Sequence, residues 1–358
     1  MFFSSGLDSP LVRMVLRLSE AAQSLSDHCR QELLDYLWAR QTIDGGFRGR
    51  RGEIGDLYYT SFALRTLALI NPFAESTEVD GFPKNRYQRI RTFLEGTFES
   101  LDSVSSVDFL SGIACAQTLS LGIDHFFGTE GDSNRWSELV SLFSERALSW
   151  RCNDGLFARS VEGAKRNQSS LYQTFLVLSE SVIWGDSTVE QLFPHPDLTF
   201  QSVLNRQNRE DGGFADLKIL PHSGANPTAA AWGILQTLRG RLSTELPPTD
   251  FEFWARIGSS IGRFLISLRL PDGGFCAHAA IPFADLLSTF TALITLQEIA
   301  ETLAPFGEEP KSQGKSQDES QAFVQSCRKP DGGYGASPWD TDSDLEYTFY
   351  SLIARRDS

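Results

Sequence analysis

One short pattern recurs along this chain and limits what it can fold into. Asp-Gly-Gly-aromatic stands at Asp44-Gly45-Gly46-Phe47, Asp211-Gly212-Gly213-Phe214, Asp272-Gly273-Gly274-Phe275 and Asp331-Gly332-Gly333-Tyr334, with a degenerate copy at Asp154-Gly155-Leu156-Phe157. Successive Asp positions lie 110, 57, 61 and 59 residues apart. The first gap is two periods of 55, so one copy near residue 100 has lost its glycines and the repeats number six. A fixed period of this length marks a repeat architecture, in which each unit buries its apolar face only against its neighbours.

A helix start follows each glycine pair. Asp56 leads to Thr60 and Leu64, Ser170 to Thr174 and Leu178, Asp285 to Thr289 and Leu293, and Asp344 to Thr348 and Leu352. Asp108, with Ala116 and Leu119, fills the second repeat, and Pro227, with Ala231 and Leu235, the fourth. Asp, Ser and Pro suit the first positions of a helix. The segment before each glycine pair also has helical spacing, as in Leu33, Leu34, Leu37 and Trp38, and Gly-Gly ends it through the φ > 0 conformations that glycine adopts. The second helix of each pair is apolar on nearly every side, as over Phe62–Ile70, and such a helix lies inside.

These patterns predict an all-α fold of six helical hairpins closed into an (α/α)6 toroid over residues 25–354, with an amphipathic helix in residues 1–24. Residues 305–320 read as a flexible polar loop, and 72–86 and 240–250 as shorter rim loops. With 32 Lys and Arg against 46 Asp and Glu, the net charge of −14 argues against a nucleic-acid partner. Five scattered cysteines, at 29, 115, 152, 276 and 327, form neither a disulfide framework nor a CxxC zinc pair. No apolar run reaches the ~20 residues of a membrane span. A cytoplasmic protein without a membrane span is expected.

The residues also carry a resemblance. The Asp-Gly-Gly-aromatic and helix-start frame over roughly residues 25–354 resembles the β subunits of protein prenyltransferases and the repeat domain of squalene and terpene cyclases. Gly46-Phe47-Arg48-Gly49-Arg50 through Asp56-Leu57-Tyr58-Tyr59-Thr60 is similar, without a gap, to the transferase segment in which an Arg contacts the prenyl diphosphate and an Asp and a Cys bind zinc. That family places the segment in the fifth repeat, and here it lies in the first. Tyr58 stands at the Cys position, Leu287 stands there in the fifth repeat after Asp285, and Tyr347 replaces the zinc His in the sixth. Neither Leu nor Tyr supplies the thiolate or imidazole that zinc takes in such sites, so zinc is not expected. The cyclases protonate their substrate with the middle Asp of a DxDD run, and here the run is Asp340-Thr341-Asp342-Ser343-Asp344.

In both families the second, third and sixth residues after the helix cap line the cavity. Carried over, this implies Tyr58, Tyr59 and Phe62 in the first repeat, Tyr172 in the third, Ala229, Ala230 and Gly233 in the fourth, and Glu346, Tyr347 and Tyr350 in the sixth. Aromatic walls suit a polyprenyl chain or a cation travelling along it. A glutamate among them has its pKa raised by desolvation and can act as an acid. Closure of the ring brings Arg48, Arg50 and Arg51 to Asp340, Asp342 and Asp344. That is either an ion-pair lock or a diphosphate held by Arg with Mg²⁺ on the aspartates. Three readings follow. The first is an isoprenoid-handling transferase relative that binds a prenyl diphosphate and needs an α-subunit-like protein partner. The second is a cyclase using Glu346, Asp342 or Asp344 as acid. The third is a non-catalytic toroid holding an apolar ligand or a protein.

Overall fold

The computed structural model describes residues 10–50, 52–70, 85–98, 104–122, 132–243, 251–304 and 313–354. Fifteen helices are found there: α1 Pro10–Gln23, α2 Asp27–Ala39, α3 Leu57–Ile70, α4 Asn85–Phe98, α5 Ser106–Gly122, α6 Asp132–Ser149, α7 Val161–Lys165, α8 Leu171–Trp184, α9 Asp186–Leu192, α10 Pro196–Leu204, α11 Ala225–Leu238, α12 Phe251–Ser267, α13 Leu286–Leu303, α14 Gln313–Ser326 and α15 Leu345–Ser351. The only sheet among these residues pairs β1 Phe157–Ala158 with β2 Ser169–Ser170, antiparallel, Phe157 opposite Ser170. The chain forms two compact units, one of residues 1–17 with 144–326, the other of 18–143 with 327–358. In the first, α8, α11 and α13 pack in a row; in the second, α3 packs between α5 and α15, so the first and sixth repeats are neighbours.

The repeated motif has a physical basis in the turn between outer and inner helix. The aromatic of each motif is buried and its N–H donates to the threonine four residues into the next helix frame: Phe47 to Thr60, Phe157 to Thr174, Phe214 to Thr228 and Phe275 to Thr289 at 2.9 Å, and Tyr334 to Thr348 at 3.1 Å. A buried N–H needs such a partner, because none remains in water to take it. The motif aspartate accepts the N–H of the second glycine, as Asp44, Asp211, Asp272 and Asp331 do. The first glycine is left-handed, with φ of 100° at Gly45 and 87° at Gly273. A Cβ at Gly273 would come within 2.2 Å of the Glu319 carbonyl oxygen, so this turn also seats the next outer helix.

Three expectations change. In the fourth repeat the helix frame starts at Gly224, not Pro227: Thr228 takes the Phe214 N–H, and Pro227 sits inside the first turn. The cavity frame there shifts from Ala229, Ala230 and Gly233 to Asn226, Pro227 and Ala230. In the second repeat Ser105, not Asp108, caps the helix, its Oγ accepting from the Asp108 N–H at 3.1 Å and donating to the Asp108 carboxylate at 2.7 Å. Residues 313–320, read as part of a polar loop, begin α14, which is anchored further along by buried Ser320, Phe323 and Val324. Residues 305–312, the rest of that stretch, and the loops at 72–84 and 244–250 lie outside the described residues.

Candidate functional site

The N-terminus of α15 gathers most of the predicted site. Asp344 is its N-cap and accepts the Tyr347 N–H at 2.9 Å, which fixes a carboxylate at the helix start where the peptide dipole favours it. Arg50 reaches it from the first repeat: Nε donates to Asp344 Oδ2 at 2.7 Å and a terminal nitrogen to Asp340 Oδ2 at 3.2 Å. The Asp344 side chain is only 2% exposed, so this is a charge pair with one buried partner. Burial pushes the Asp344 carboxyl up against the pull of the Tyr347 N–H and Arg50. On Arg50, burial works against the charge, yet the two aspartates hold the guanidinium more firmly protonated than usual. Its plane also lies over the Tyr347 ring at 5.3 Å.

Two residues further, Glu346 accepts hydrogen bonds from the Tyr58 and Tyr350 side chains. Burial pushes its carboxyl from an ordinary 4.5 up to about 7; the tyrosine hydroxyls work downward and the neighbouring Asp344 charge upward. Aromatic rings surround it in a continuous set: Tyr58 meets Phe62 at 5.0 Å and Tyr59 at 5.4 Å, and Phe62 meets Phe349 and Tyr350 at 5.5 Å each. Tyr347 lies 6.4 Å from Tyr350. Burial, with Asp344 and Glu346, raises the Tyr59 pKa, so its hydroxyl keeps its proton. Beside this set opens a cleft of about 590 Å³ lined by Arg50, Ile54, Asp56, Tyr59 and Asp342, with glycines 49, 52 and 55.

The structure thus brings together Arg50, Tyr58, Tyr59, Phe62, Asp342, Asp344, Glu346, Tyr347 and Tyr350. Arg48 is exposed and faces a second cleft, with Tyr36 and Arg40. Tyr172 belongs to the other unit, at the start of α8, where its N–H is held by Asp216 at 2.9 Å. Arg51 lies outside the described residues. Asp285 is the N-cap of α13, bound to the N–H and hydroxyl of Ser288 at 2.7 Å each. Asp340 accepts the Ala336 N–H at 2.7 Å as well as Arg50. Among the described residues no three His, Cys, Asp or Glu side chains converge as a metal site would require.

Sequence reasoning missed two parts of this site. Phe349 completes the aromatic wall but falls between the positions that the cavity frame selects. Behind Asp344, Ser343 donates to Asp331 at 2.6 Å, and Arg40 donates to both at 2.8 and 3.0 Å. Arg40 also lies over the Tyr36 ring at 5.0 Å. The repeated pattern held the signal for this network: Ser223 and Ser169, just before the fourth and third inner helices, bind Asp211 and Asp154 in the same way.

Comparison with known proteins bears on the fold. A variant of the type II terpene cyclase MstE from Scytonema in complex with merosterolic acid A is similar in fold, with TM-score 0.52, 10% identity and 96% of each chain covered. MstE without ligand gives TM-score 0.50 at 10% identity, over 95% of this chain and 96% of that one. An alpha-1,6-mannanase from Salegentibacter sp. HEL1_6 gives TM-score 0.57 at 12% identity, over 91% and 97%. At such identities the likeness is one of fold, and a sugar hydrolase shares it with a cyclase. No curated protein matches the sequence. The prenyltransferase alpha-alpha toroid domain matches residues 12–119 and 151–355, and the chain belongs to that family.

Proposed function

We propose that the chain is an isoprenoid enzyme of the cyclase type, in which Glu346 supplies the proton that starts the reaction. The observation that carries this reading is the setting of Glu346: a carboxyl with its pKa pushed up to about 7, bound by Tyr58 and Tyr350 and walled by Phe62 and its aromatic neighbours. An acid must hold its proton at working pH and give it up when substrate arrives. Burial meets the first need, and the two tyrosine donors meet the second by stabilising the carboxylate left behind. The π electrons of a substrate alkene take the proton, a new C–H bond forms, and the positive charge moves to the neighbouring carbon. The ring faces of Phe62, Tyr58 and Tyr350 attract that cation. Carbon–carbon bonds then close in sequence, the last cation releases a proton, and Glu346 is recharged from solvent.

Zinc-dependent transfer to a thiol is not proposed, because Leu287 and Tyr347 offer no zinc ligand of the kind that chemistry uses. A diphosphate at Arg48, Arg50 and Arg51, with Mg²⁺ on Asp340 and Asp342, is the second reading, and the position of Arg50 on the 590 Å³ cleft favours it. Against it, Arg50 is already engaged by two aspartates. Incubation with geranylgeranyl diphosphate and squalene, followed by mass spectrometry of extracted products, tests the proposal. Wild type should yield cyclised isomers, and Glu346→Gln none while still binding substrate. Full turnover by Glu346→Gln would sink it.

A further inference from the structure

Outer and inner helices divide the basic residues unevenly. The outer helices α2, α4, α6, α12 and α14 each hold Lys or Arg, whereas the inner helices α3, α5, α8, α11, α13 and α15 hold one between them, Arg65 of α3. Helices that are apolar on nearly every side otherwise exclude such a charge. Arg65 is half-buried, and its guanidinium carbon lies 5.9 Å from the centre of the Phe62 ring, over its face.

The place of Arg65 along α3 gives that charge a direction. Tyr58, Phe62 and Arg65 stand at i, i+4 and i+7 and share one face of the helix. Tyr58 binds Glu346 and meets Phe62 at 5.0 Å, so the order along this face is acid, Tyr58, Phe62, guanidinium. The 1.5 Å rise per residue puts Arg65 ~10 Å along the helix axis from Tyr58. Phe62 also meets Phe349 and Tyr350 at 5.5 Å each, so the aromatic wall around Glu346 ends, on α3, at a positive charge. All of these residues belong to one unit of the chain.

We propose that Arg65 is a specificity-determining residue of the cyclisation, a fixed positive charge that sets how far the substrate cation travels from Glu346. The proposal rests on the cyclase reading above. Once Glu346 has given up its proton, a carboxylate stands at one end of the wall and a guanidinium at the other. Both hold a carbocation on the Glu346 side: the carboxylate attracts it and Arg65 repels it, with little screening among the rings. Arg65 also occupies a face of Phe62 that would otherwise attract the cation. Each ring closure moves the charge farther along the substrate chain, and the repulsion rises until proton loss outruns the next closure. A C–H bond beside the cation then breaks, its electron pair forms a C=C bond, and the proton goes to water.

The squalene products of wild type, Arg65→Met and Arg65→Lys test this, with their masses after exhaustive hydrogenation counting the rings. Wild type and Arg65→Lys should give the same product set, because both keep the charge. Arg65→Met should still turn over and shift its main product to a higher ring number. A merely structural role would lower the yield and leave the ring number as it was. A second measurement needs no turnover: calorimetric binding of N,N-dimethyldecylamine, a cation at neutral pH that stands in for the carbocation, beside decanol as neutral control. Arg65→Met should bind the amine about tenfold more tightly than wild type, as loss of a like charge at such a separation implies, and decanol equally. Unchanged ring number, equal amine affinities, or Arg65→Lys behaving like Arg65→Met would overturn the proposal. Wild type that yields no cyclised product would sink the cyclase reading and this proposal with it, whereas an unchanged ring number in a protein that does cyclise would sink this proposal alone.

Discussion

Glu346, in the first turn of α15, and Arg50, which reaches the start of that helix from the connection before α3, face opposite requirements. Glu346 must keep its proton near neutrality, and Arg50 must hold a charge against buried Asp344. For Glu346 the folded pKa lies above the unfolded one, so the native state binds the extra proton between about 4.5 and about 7. Its contribution to stability is therefore fully present below pH 4.5 and is lost as pH rises through 7. Glu346→Gln removes the titration, and unfolding in urea should show the variant gaining on wild type by ~2–3 kcal/mol between pH 5 and 8. Arg50→Ala leaves Asp344 buried without its partner. It should cost ~1–3 kcal/mol, with Arg50 one-third exposed and the pair partly screened, and Asp344→Asn should recover part of that loss. Affinity for geranylgeranyl diphosphate, read by calorimetry on Arg50→Ala, should change less than about threefold. A tenfold loss or more would restore the diphosphate reading.

At the scale of the element, much was legible because the motif is a set of local constraints. The Asp-Gly-Gly-aromatic turn, the cap and the threonine lie within about twenty residues of one another, and each serves the same buried N–H and the same left-handed turn. The frame slipped where the residues that define it were absent. Gly224 caps no N–H with a side chain, so the eye passes to Pro227, and Ser105 hides behind the more conspicuous Asp108. Contacts across repeats, such as Phe349 against Phe62, are not written in any local spacing. The motif account makes two checkable statements. Thr348→Val, which keeps the shape but strips the acceptor from the buried Tyr334 N–H, should cost ~1–3 kcal/mol in thermal or urea unfolding. Gly273→Ala should cost more than Gly332→Ala. Both glycines are left-handed, but a new Cβ meets a carbonyl oxygen at 2.2 Å at the first and nothing closer than 3.7 Å at the second.

At the scale of the whole chain, the first and last described helices are each held by a helix far away in sequence. The last helix, α15, lies beside α3, as closure of a ring of repeats requires of its first and last members. The first helix, α1, is fastened to α13: Arg13 binds Glu298 through Nε at 2.9 Å and a terminal nitrogen at 2.6 Å, and Arg17 binds both Glu298 and Glu301. Glu298 is nearly fully buried, so deletion of residues 1–17 strands its charge. Such a deletion should cost ~3 kcal/mol or more in chemical unfolding, and Glu298→Gln in the shortened chain should restore part of it. The amphipathic spacing of residues 1–24 made the helix legible, but its ion-pair partners, almost three hundred residues away, were not.

The source of the initiating proton separates the two chemistries that this family of folds suggests. Protonation by Glu346 draws on solvent, whereas ionisation of an allylic diphosphate does not. The reaction with geranylgeranyl diphosphate run in deuterium oxide, with product mass read by mass spectrometry, therefore tests the central claim most directly. A product carrying one carbon-bound deuterium, formed by wild type and absent from Glu346→Gln, is the predicted result. A product formed with release of diphosphate and without deuterium, or unchanged in Glu346→Gln, would contradict it.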